Sequence, residues 1–403
     1  MSSINITPYF PFCRVHIFGQ TVTGEESIIR VRPDKRYKPI CSVCTHHCDT
    51  IHAWVKRPIR DLNCGAVKVV IECRYRKVFC KKCGSILVED LIFFKPYWRI
   101  TNRLARYIHE LCKVLTVQDV ARHLDLDWKT VKGIDKAFLE EEYGQTDYGD
   151  LTILSVDEIS IRRGHSYMTV VLDYLTGRVV WMGEGRRADT LMEFFEGMTD
   201  EQIEKLEAIA MDMWDPYIKA VETKAPHVKI VFDLFHMVKE FNKVIDRVRI
   251  DEYKKASETD KRVIQGSKYL LLKNPENIKK DEEKEHLDRL LALNETISKV
   301  MILKDKLKLI WECEARKEAQ QQIDEWCALA ESVHHPSVDA FVRRIRRYEY
   351  GILNHCEYPI HTSMLEGVNN KIKVIKRKAY GFHDNRYFSL KVIQAFSVIY
   401  NRC

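Results

Sequence analysis

The stretch LTILSVDEIS, residues 151–160, begins a series of short apolar runs that are separated by turns. Two more runs follow it closely, and two others come after a segment with helical spacing. Three runs joined by short turns predict an antiparallel meander, and the helix before the fourth run predicts a crossover connection. The sequence therefore predicts a mixed five-stranded sheet with helices. The later segments are YMTVVLDYLT (167–176), GRVVWMGEG (177–185), the helix DTLMEFFEGM (189–198), LEAIAMDMW (206–214) and VKIVFDLFH (228–236).

Two aspartates of this sheet are candidates for one metal site. If the fourth strand lies beside the first and parallel to it, Asp157 and Asp212 lie at the same end of neighbouring strands, about 5 Å apart. Hard carboxylate oxygens at that spacing suit a divalent cation such as Mg²⁺. The alternative is that both residues only cap the ends of their strands, and the sheet pattern by itself leaves this open.

The other acids near strand ends have different explanations. Glu158 follows the first strand's aspartate directly, so strand alternation predicts that it points to the opposite face. Asp173 ends the second strand at the far edge and is typical of a turn, whereas Asp215 stands before a proline and is typical of a helix N-cap. Asp233 ends the fifth strand on the correct side but one strand further out, so it and His236 are supporting candidates.

Cysteines are concentrated at the start of the chain, where eight of the 13 fall before residue 84. Four of them form two Cys-x-x-Cys pairs, Cys41 with Cys44 and Cys80 with Cys83. Two such pairs suit the tetrahedral geometry of a structural Zn²⁺, and the strand-like VKVVIECRYRKVFC before Cys83 fits a zinc ribbon. Coincidental cysteines or a redox pair are the alternatives. Substitute ligands of lower rank are Cys48, Cys64, Cys73, His46, His47 and His52.

A helix-turn-helix pattern follows the cysteine-rich segment. Thr101 is placed to cap NRLARYIHELCKVL and Thr116 to cap VQDVARHL, after which DLD turns into WKTVKGIDKAFLEEEY. A three-helix packing module without DNA contacts is the alternative. The apolar positions expected to face inward are Val117, Val120, Ala121, Leu124, Leu126, Val131, Ile134 and Phe138. The residues that the last helix would present to a major groove are Trp128, Lys129, Thr130 and Lys132.

The stretch HTSMLEGVNNKIKVIKRKAYGF, residues 361–382, combines one acidic residue with a rising density of basic ones. Ser363 and Glu366 have the spacing of a capping box, so Glu366 is either a structural cap or a third metal ligand. The two roles are compatible, because a helix start also fixes the position of a carboxylate. An apolar stripe with Gly381 as the stop predicts that this helix docks on the sheet. The stripe consists of Leu365, Val368, Ile372, Ile375 and Ala379.

Polar residues beside that stripe are candidates for contacts with DNA. Amides are followed along one helix face by cations, which suit phosphate oxygens. A merely solvated basic face is the alternative. The candidates are Asn369, Asn370, Lys373, Lys376 and Arg377, with Lys371 and Lys378 as further cations.

Composition limits the functional class. A chain of 403 residues, 45% hydrophobic and 31% charged, predicts a globular protein of two to four domains. Its formal charge of +7 is clustered in RRIRR (343–347) and KIKVIKRK (371–378), which favours a polyanionic partner. No apolar run approaches roughly 18 residues, and the N-terminus lacks a basic segment before an apolar one, so we expect a cytoplasmic protein without membrane association.

The order of these motifs resembles that of bacterial insertion-sequence transposases of the ISL-three type over nearly the whole chain. The resemblance implies a DDE recombinase with a ribonuclease-H-like core, in which two aspartates and a late glutamate bind Mg²⁺ or Mn²⁺. Carried over to this sequence, that triad is Asp157, Asp212 and Glu366, and the resemblance supports auxiliary roles for Asp233 and His236. The motifs that carry it after the cysteines and the helix-turn-helix are SVDE (155–158), GHSYMTVVLDYLTGRVV (164–180), GR (185–186), MDMWDPYIKAV (211–221), DLFHMVKEFNKVIDRVR (233–249) and EGVNNKIKVIKRKAYGF (366–382).

The expected fold class is a multidomain combination of α+β and α/β parts. Helical spacing with few Gly or Pro residues, together with the resemblance, predicts an all-α insertion within the core. The expected domains are a zinc ribbon that binds DNA (1–95), the helix-turn-helix (96–145), the first part of the ribonuclease-H-like core (150–250), the helical insertion (251–350) and the last part of the core with Glu366 (351–403).

The expected function is transposition. The protein would bind the terminal inverted repeats of its element, cut DNA with a divalent metal and join the freed 3′-OH to target DNA. A homodimer or larger synaptic assembly in the nucleoid is expected, because two ends must meet. Two other hypotheses are a sequence-specific repressor with an inactive core and a structure-specific nuclease such as a junction resolvase.

Overall fold

The computed structural model describes residues 9–10, 12–162, 166–360 and 363–397, without the side chains of Arg162, Pro275, Ser363, Leu365 and Glu366. The chain divides into two compact units, Met1–Glu142 and Tyr143–Cys403. The finer domain boundaries expected from the sequence stay predictions. In the described part of the chain, every helix is too short or too polar to cross a membrane.

The first unit begins with a five-stranded sheet. Strand β4 has the alternating burial that its sequence predicts, and Ile29, Ile71 and Tyr75 are among the side chains that form the apolar interior of this sheet. Strands β2 and β4 are parallel, and the other neighbours are antiparallel in the order β1-β2-β4-β3, with β5 also paired to β4. The strands are β1 (Val15–Val22), β2 (Glu26–Pro33), β3 (Thr50–Arg60), β4 (Lys68–Cys80) and β5 (Ser85–Val88).

Three helices complete the first unit: α1 (Asn102–Val114), α2 (Val117–Leu124) and α3 (Trp128–Tyr143). The predicted caps are confirmed, because the Thr101 hydroxyl accepts from the N–H of Leu104 and the Thr116 hydroxyl from that of Asp119. The predicted interior is confirmed too, since all eight apolar positions lie in one cluster with α1. Asp125 has a φ of 50°, a left-handed conformation that ends α2 and begins the tight turn.

The second unit contains the predicted mixed five-stranded sheet, in the order β10-β9-β6-β7-β8. Strands β6, β7 and β8 form the antiparallel meander, and β9 and β10 lie parallel to β6 beyond a helical crossover. The strands are β6 (Ile153–Arg162), β7 (Ser166–Asp173), β8 (Val179–Glu184), β9 (Ala208–Met211) and β10 (Lys229–Phe232), with α4 (Ala188–Glu196), α5 (Asp200–Glu204) and α6 (Asp215–Lys224) in the connections.

After β10, the described part of the second unit contains helices and short turns. The long stretch after β10 forms helices in line with its sequence pattern, and Trp326 lies in its core, 1% exposed, with the indole N–H donating to the Leu303 carbonyl. The helices are α7 (Leu234–Lys255), α8 (Glu258–Ile264), α9 (Lys268–Leu272), α10 (Asp281–Leu293), α11 (Glu295–Glu312), α12 (Arg316–Glu331), α13 (Pro336–Leu353), α14 (Ser363–Lys378) and α15 (Asn385–Ser397), with short 3₁₀ turns at Pro275–Asn277 and Asn354–Cys356.

Strand alternation divides the side chains of β6 between two apolar clusters. Leu154 and Val156 join the cluster that contains residues of α4, α6, α7 and α13. Ile159 and Ile161 join the cluster that contains Val368 and Ile372 of α14 together with residues of α15. The prediction that the C-terminal stripe docks on the sheet is therefore confirmed for Val368, Ile372 and Ile375, whereas Ala379 lies outside this cluster. Residue 157 shares the parity of 159 and 161, so it faces α14.

Candidate active site

The parallel pairing of β6 with β9 brings the two predicted aspartates to one edge of the sheet. Ser155 pairs with Ala210, and two further residues on each strand lead to Asp157 and Asp212. Asp157 is half-buried, and one of its oxygens accepts a hydrogen bond from the backbone N–H of Glu158 at 2.6 Å. The Asp212 side chain remains 34% exposed, so it can be reached from solvent.

Asp233 and His236 lie against Asp212, at the start of α7. The carboxylate of Asp233 caps the helix by accepting the N–H of Phe235 at 2.7 Å. Nδ1 of His236 lies 2.6 Å from Asp212 Oδ1 and 2.9 Å from Asp233 Oδ2. One ligand atom from each of the three residues lies within 4.8 Å of the others. The structure thus brings both supporting candidates to Asp212.

The amide of Asn369 reaches this edge from α14. Its Nδ2 donates to Asp157 Oδ2, whereas the next residue, Asn370, is exposed. The sequence places Asn369 among the DNA contacts, but in the structure its amide contacts Asp157. Glu366 lies in the same helix, three residues earlier; its side chain and the expected capping box with Ser363 lie outside the described residues.

Burial and the charges of neighbouring groups, including repulsion between carboxylates, shift the pKa values of Asp157 and His236. Burial and the nearby charge of Asp212 raise the pKa of Asp157, against the opposing effects of the Glu158 N–H, Asn369 and His236. Burial by itself lowers the pKa of His236, but its hydrogen bonds and charge interactions with Asp212 and Asp233 outweigh burial and raise that pKa to about 10. A cation bound between the carboxylates would relieve the same repulsion.

The cations of α14 have different surroundings. The ammonium of Lys371 donates to the Ala395 carbonyl at 2.5 Å and lies 4.3 Å from the centre of the Phe396 ring. The predicted phosphate contact of Lys371 is therefore replaced by a contact with α15. The reason is that this position of α14 faces α15. Lys376 Nζ donates to the Ser160 carbonyl at 3.2 Å. The side chains that stay exposed are Lys373, Arg377 and Lys378, and Arg377 also donates to the Lys373 carbonyl.

Two acids set aside in the sequence are positioned for other reasons. Asp173 accepts from the N–H of Leu175 and the hydroxyl of Thr176, which confirms the predicted turn. The prediction that Asp215 is an N-cap is wrong, because Trp214 occupies that position and Asp215 is the first residue of α6. The Asp215 carboxylate instead accepts hydrogen bonds from Arg347 and Tyr348.

The four paired cysteines meet in the first unit, with one sulfur from each within 4.8 Å of the others. The two pairs are closed by the same turn. Thr45 has a φ of 58° and donates its N–H to the Cys41 carbonyl at 3.0 Å, and Gly84 has a φ of 66° and donates to the Cys80 carbonyl at 2.8 Å. Four cysteine sulfurs this close to one another fit Zn²⁺.

The substitute ligands are placed elsewhere. Cys48 is buried beside this cluster without joining the four in the described part of the chain, and Cys73 belongs to the apolar interior of the sheet. The remaining candidates, Cys64, His46, His47 and His52, are exposed. In the described part of the chain, the two pairs thus form the group of four sulfurs, and the substitute ligands stay outside it.

The start of α3 presents the predicted reading residues. Trp128 is 45% exposed, Lys129 and Thr130 are exposed, and Lys132 is half-buried. Asp127 fixes the helix start by accepting the N–H of Lys129 at 2.9 Å.

Sequence reasoning missed a side chain on the other side of β6. Arg186 Nη1 lies 3.1 Å from Glu158 Oε1, which agrees with the prediction that Glu158 points away from its neighbour Asp157. The guanidinium also stacks on Tyr167 and Trp214. Arg186 follows a glycine with a φ of 102°, and this Gly-Arg turn after a strand is the signal that marks it.

Comparison with known proteins agrees with this geometry. A family model described as transposase, of the ISL3 DDE type, matches residues 154–392, and a model for the helix-turn-helix domain of transposase family ISL3 matches residues 89–139. The chain is 36% identical over 360 residues to the transposase for insertion sequence element IS1001 of Bordetella parapertussis, covering 89% of this chain and 88% of that protein. It is 24% identical over 388 residues to the transposase for insertion sequence element IS1557 of Mycobacterium tuberculosis, covering 89% of this chain and 86% of that protein.

The first family match spans more than half of the chain and includes both sheet-edge aspartates and Glu366. The second coincides with the three-helix region whose caps and interior follow from the sequence. This chain belongs to the ISL3 family of transposases.

Proposed function

We propose that this protein is the transposase of a bacterial insertion sequence, which cuts DNA at the ends of its element and transfers the freed 3′-OH to target DNA. Asp157, Asp212 and Glu366 form its active site, in a ribonuclease-H-like core interrupted by the helical stretch between β10 and α14. The observation that carries the proposal is the pairing of β6 with β9, which brings two carboxylates to one edge beside helix α14.

The residues at this edge fit a divalent metal such as Mg²⁺ or Mn²⁺. Asp157 and Asp212 offer hard oxygen donors, and burial and mutual repulsion raise the pKa of Asp157. Residues three apart in a helix lie on one face, so position 366 belongs to the face that carries Asn369. Bound metal ions supply charge stabilisation at the attacking and leaving oxygens and activate water.

The surrounding side chains hold the carboxylates in place. Asn369 and the Glu158 N–H donate to the two oxygens of Asp157, which fixes the orientation of that carboxylate. His236, itself held by Asp233, fixes one oxygen of Asp212 and leaves the other for a metal. With this arrangement, the chain needs no serine or tyrosine nucleophile, since water and then a DNA 3′-OH attack the phosphate.

The first unit would bind the terminal inverted repeats. Helix α3 would enter a major groove with Trp128, Lys129, Thr130 and Lys132, and the cysteine cluster would hold Zn²⁺ and stabilise the neighbouring sheet. Synapsis of two ends implies a homodimer or larger assembly, acting on DNA in the cytoplasm. Exposed residues on α14 that would contact phosphates near the cut are Asn370, Lys373 and Arg377, with Lys376 beside them.

The test is cleavage of a duplex that carries the terminal repeat, in Mg²⁺, by the wild-type chain and by D157N, D212N and E366Q. Each of these variants keeps the shape of its side chain and removes its charge, so we expect cleavage to fall by roughly 10³-fold or more while repeat binding is retained. Glu193→Gln removes an exposed carboxylate of α4 and should cut normally. Cleavage at the wild-type rate by any one of the three variants would reject its assignment, and a wild-type chain that binds the repeats without cutting would favour a repressor.

A further inference from the structure

A pocket of about 660 Å³ opens beside the carboxylate edge, between the turn after β8 and the starts of α4 and α6. Its volume lies within the roughly 300–1,000 Å³ of small-ligand sites. Tyr167, Arg186, Arg187, Trp214 and Lys219 are among its lining residues. None of them is a residue of the proposed active site, so the role of that site does not explain the pocket.

Two short connections tie this pocket to the proposed active site. Trp214 follows Asp212 by two residues, and its backbone N–H donates to the Asp212 carbonyl at 2.7 Å. Arg186 is paired with Glu158, the residue next to Asp157. The pocket is therefore connected to both aspartates of the proposed active site, through the Asp212 carbonyl and through Glu158.

An aromatic and guanidinium stack forms one wall. The Arg186 guanidinium carbon lies 4.2 Å from the centre of the Tyr167 ring and 5.0 Å from that of Trp214. The indole N–H of Trp214 donates to the Arg186 carbonyl at 3.0 Å, so the ring is fixed, yet Trp214 is 37% exposed. A fixed, exposed aromatic ring offers a stacking face without further ordering, and every nucleobase has a face that stacks on it.

Cations at the mouth suit a phosphate. Arg187 and Lys219 are exposed, and in the described part of the chain neither forms an ion pair with an acid. Arg187 and Trp214 are the N-cap residues of α4 and α6, and their side chains have no acceptor with which to cap the first-turn N–H groups. Of the two acids at the rim, Asp215 is held by Arg347 and Tyr348, and Asp189 lies in the first turn of α4.

We propose that the pocket holds one nucleotide of the DNA substrate whose base has left the duplex stack. The base lies against Trp214 and Arg186, and its phosphate contacts Arg187 and Lys219. A base within a duplex has both faces covered by its neighbours, so only an extruded base can use this wall. The inference rests on the proposed function and adds that the DNA is distorted beside the cut.

The direct test is photo-cross-linking of the full-length protein to duplexes that carry the terminal repeat. A single 5-iodouracil is placed at each position within about one helical turn of the cut, without Mg²⁺ so that the DNA stays intact. We expect one position to cross-link to peptides that contain Trp214 or Tyr167, because iodouracil reacts with aromatic rings on which it stacks. Cross-links confined to peptides outside the pocket, or none at all, would overturn the inference.

A matched pair of variants tests the energetic role of the stack. Loss of base stacking in Trp214→Ala should lower the cleavage rate by roughly 5- to 150-fold, whereas Trp214→Phe keeps an aromatic face and should stay within a few-fold of wild type. An abasic nucleotide at the cross-linked position should make wild type and W214A cut equally, because the lost interaction is then absent from both. A W214A protein that cuts the intact duplex at the wild-type rate would contradict the proposal.

The two proposals fail in different ways. Cross-linking at Trp214 in a protein that never cuts DNA in Mg²⁺ would retain the pocket and reject the transposase active site. Normal cutting without any cross-link in the pocket would retain the proposed active site and reject the nucleotide pocket.

Discussion

At the scale of single residues, the Asn369 amide is the contact that links the C-terminal helix to the sheet-edge aspartates. It donates to Asp157, whereas Asn370 beside it is exposed. A donor that orients a ligating carboxylate typically changes metal affinity or activity by about 10- to 100-fold when it is removed. In the proposed active site, Asn369 would therefore act on the metal through Asp157.

This role predicts a shift in metal requirement. Asn369→Ala should raise the Mg²⁺ concentration that gives half-maximal cleavage by roughly 10-fold or more. Asn369→Asp should raise it further, because it replaces the donor to Asp157 by another negative charge. The measurement is a Mg²⁺ titration of the cleavage rate, with Asn370→Ala as the neighbouring control. An unchanged midpoint in both Asn369 variants would contradict the role.

His236 predicts a pH dependence of the metal-free protein. Its folded-state pKa of about 10 lies above the ordinary histidine value, so its contribution to stability is full below about pH 6.5 and is lost as the pH rises toward 10. In EDTA, the free energy of unfolding should fall more between pH 7 and 9.5 for wild type than for His236→Gln. His227→Gln removes an exposed histidine and should follow wild type. If the free energy of unfolding changed equally with pH in wild type and H236Q, protonated His236 would make no contribution to stability.

At the scale of elements, the sequence predicts those features that depend on residues close together along the chain, such as helix caps. Thr101 and Thr116 identify their helices because the caps lie within three residues of the N–H groups that they satisfy. Short turns connect β6, β7 and β8, helical crossovers lead to β9 and β10, and the resulting order places β9, which precedes Asp212, beside the strand of Asp157. By contrast, the Asn369 contact joins residues 212 positions apart, and no local period specifies it.

The cysteine cluster predicts that metal stabilises the first unit. If the cluster holds Zn²⁺ as proposed, Cys80→Ser should abolish zinc binding and the cooperative melting of the β1–β5 sheet, because metal binding supplies folding energy where the apolar core is small. Metal content by atomic absorption and thermal unfolding measure the effect. Cys64→Ser changes an exposed cysteine of the same unit and should retain both. A full zinc complement in C80S would reject Cys80 as a ligand.

The helical stretch contains a buried cation that predicts a large loss of stability. Lys304 is 1% exposed, and its ammonium donates to the carbonyls of Leu271, Leu272 and Lys273 at 3.0, 3.1 and 2.9 Å. Lys304→Met would leave three carbonyls without their donor, so we expect the free energy of unfolding to fall by about 2–5 kcal/mol. Lys306→Met, at an exposed position of α11, should change it by less than about 0.5 kcal/mol. Denaturant unfolding compares the two, and equal stabilities would contradict the role of Lys304.

At the scale of the whole molecule, a unit with a helix-turn-helix and a unit with a mixed sheet and an acidic edge belong to one chain of the ISL3 transposase family. The sheet-edge aspartates were predictable, because strand order and register place them. The contact between Arg186 and Trp214 was not predictable, because it depends on how two turns meet across the sheet, which spacing along the chain does not encode. Lys371 was predicted to contact phosphate, but it contacts α15 instead. A basic run does not reveal which of its cations faces a neighbouring helix.

Cleavage by Asp212→Cys in two metals tests the proposed metal ligation most directly. A thiolate is a poor ligand for Mg²⁺ and a better one for Mn²⁺, so the identity of the ligand should determine which metal supports the reaction. We expect D212C to bind the terminal repeat normally, to lose cleavage in Mg²⁺ and to regain part of it in Mn²⁺. Cleavage by D212C at the wild-type rate in Mg²⁺ would show that Asp212 holds no metal and would contradict the proposed active site.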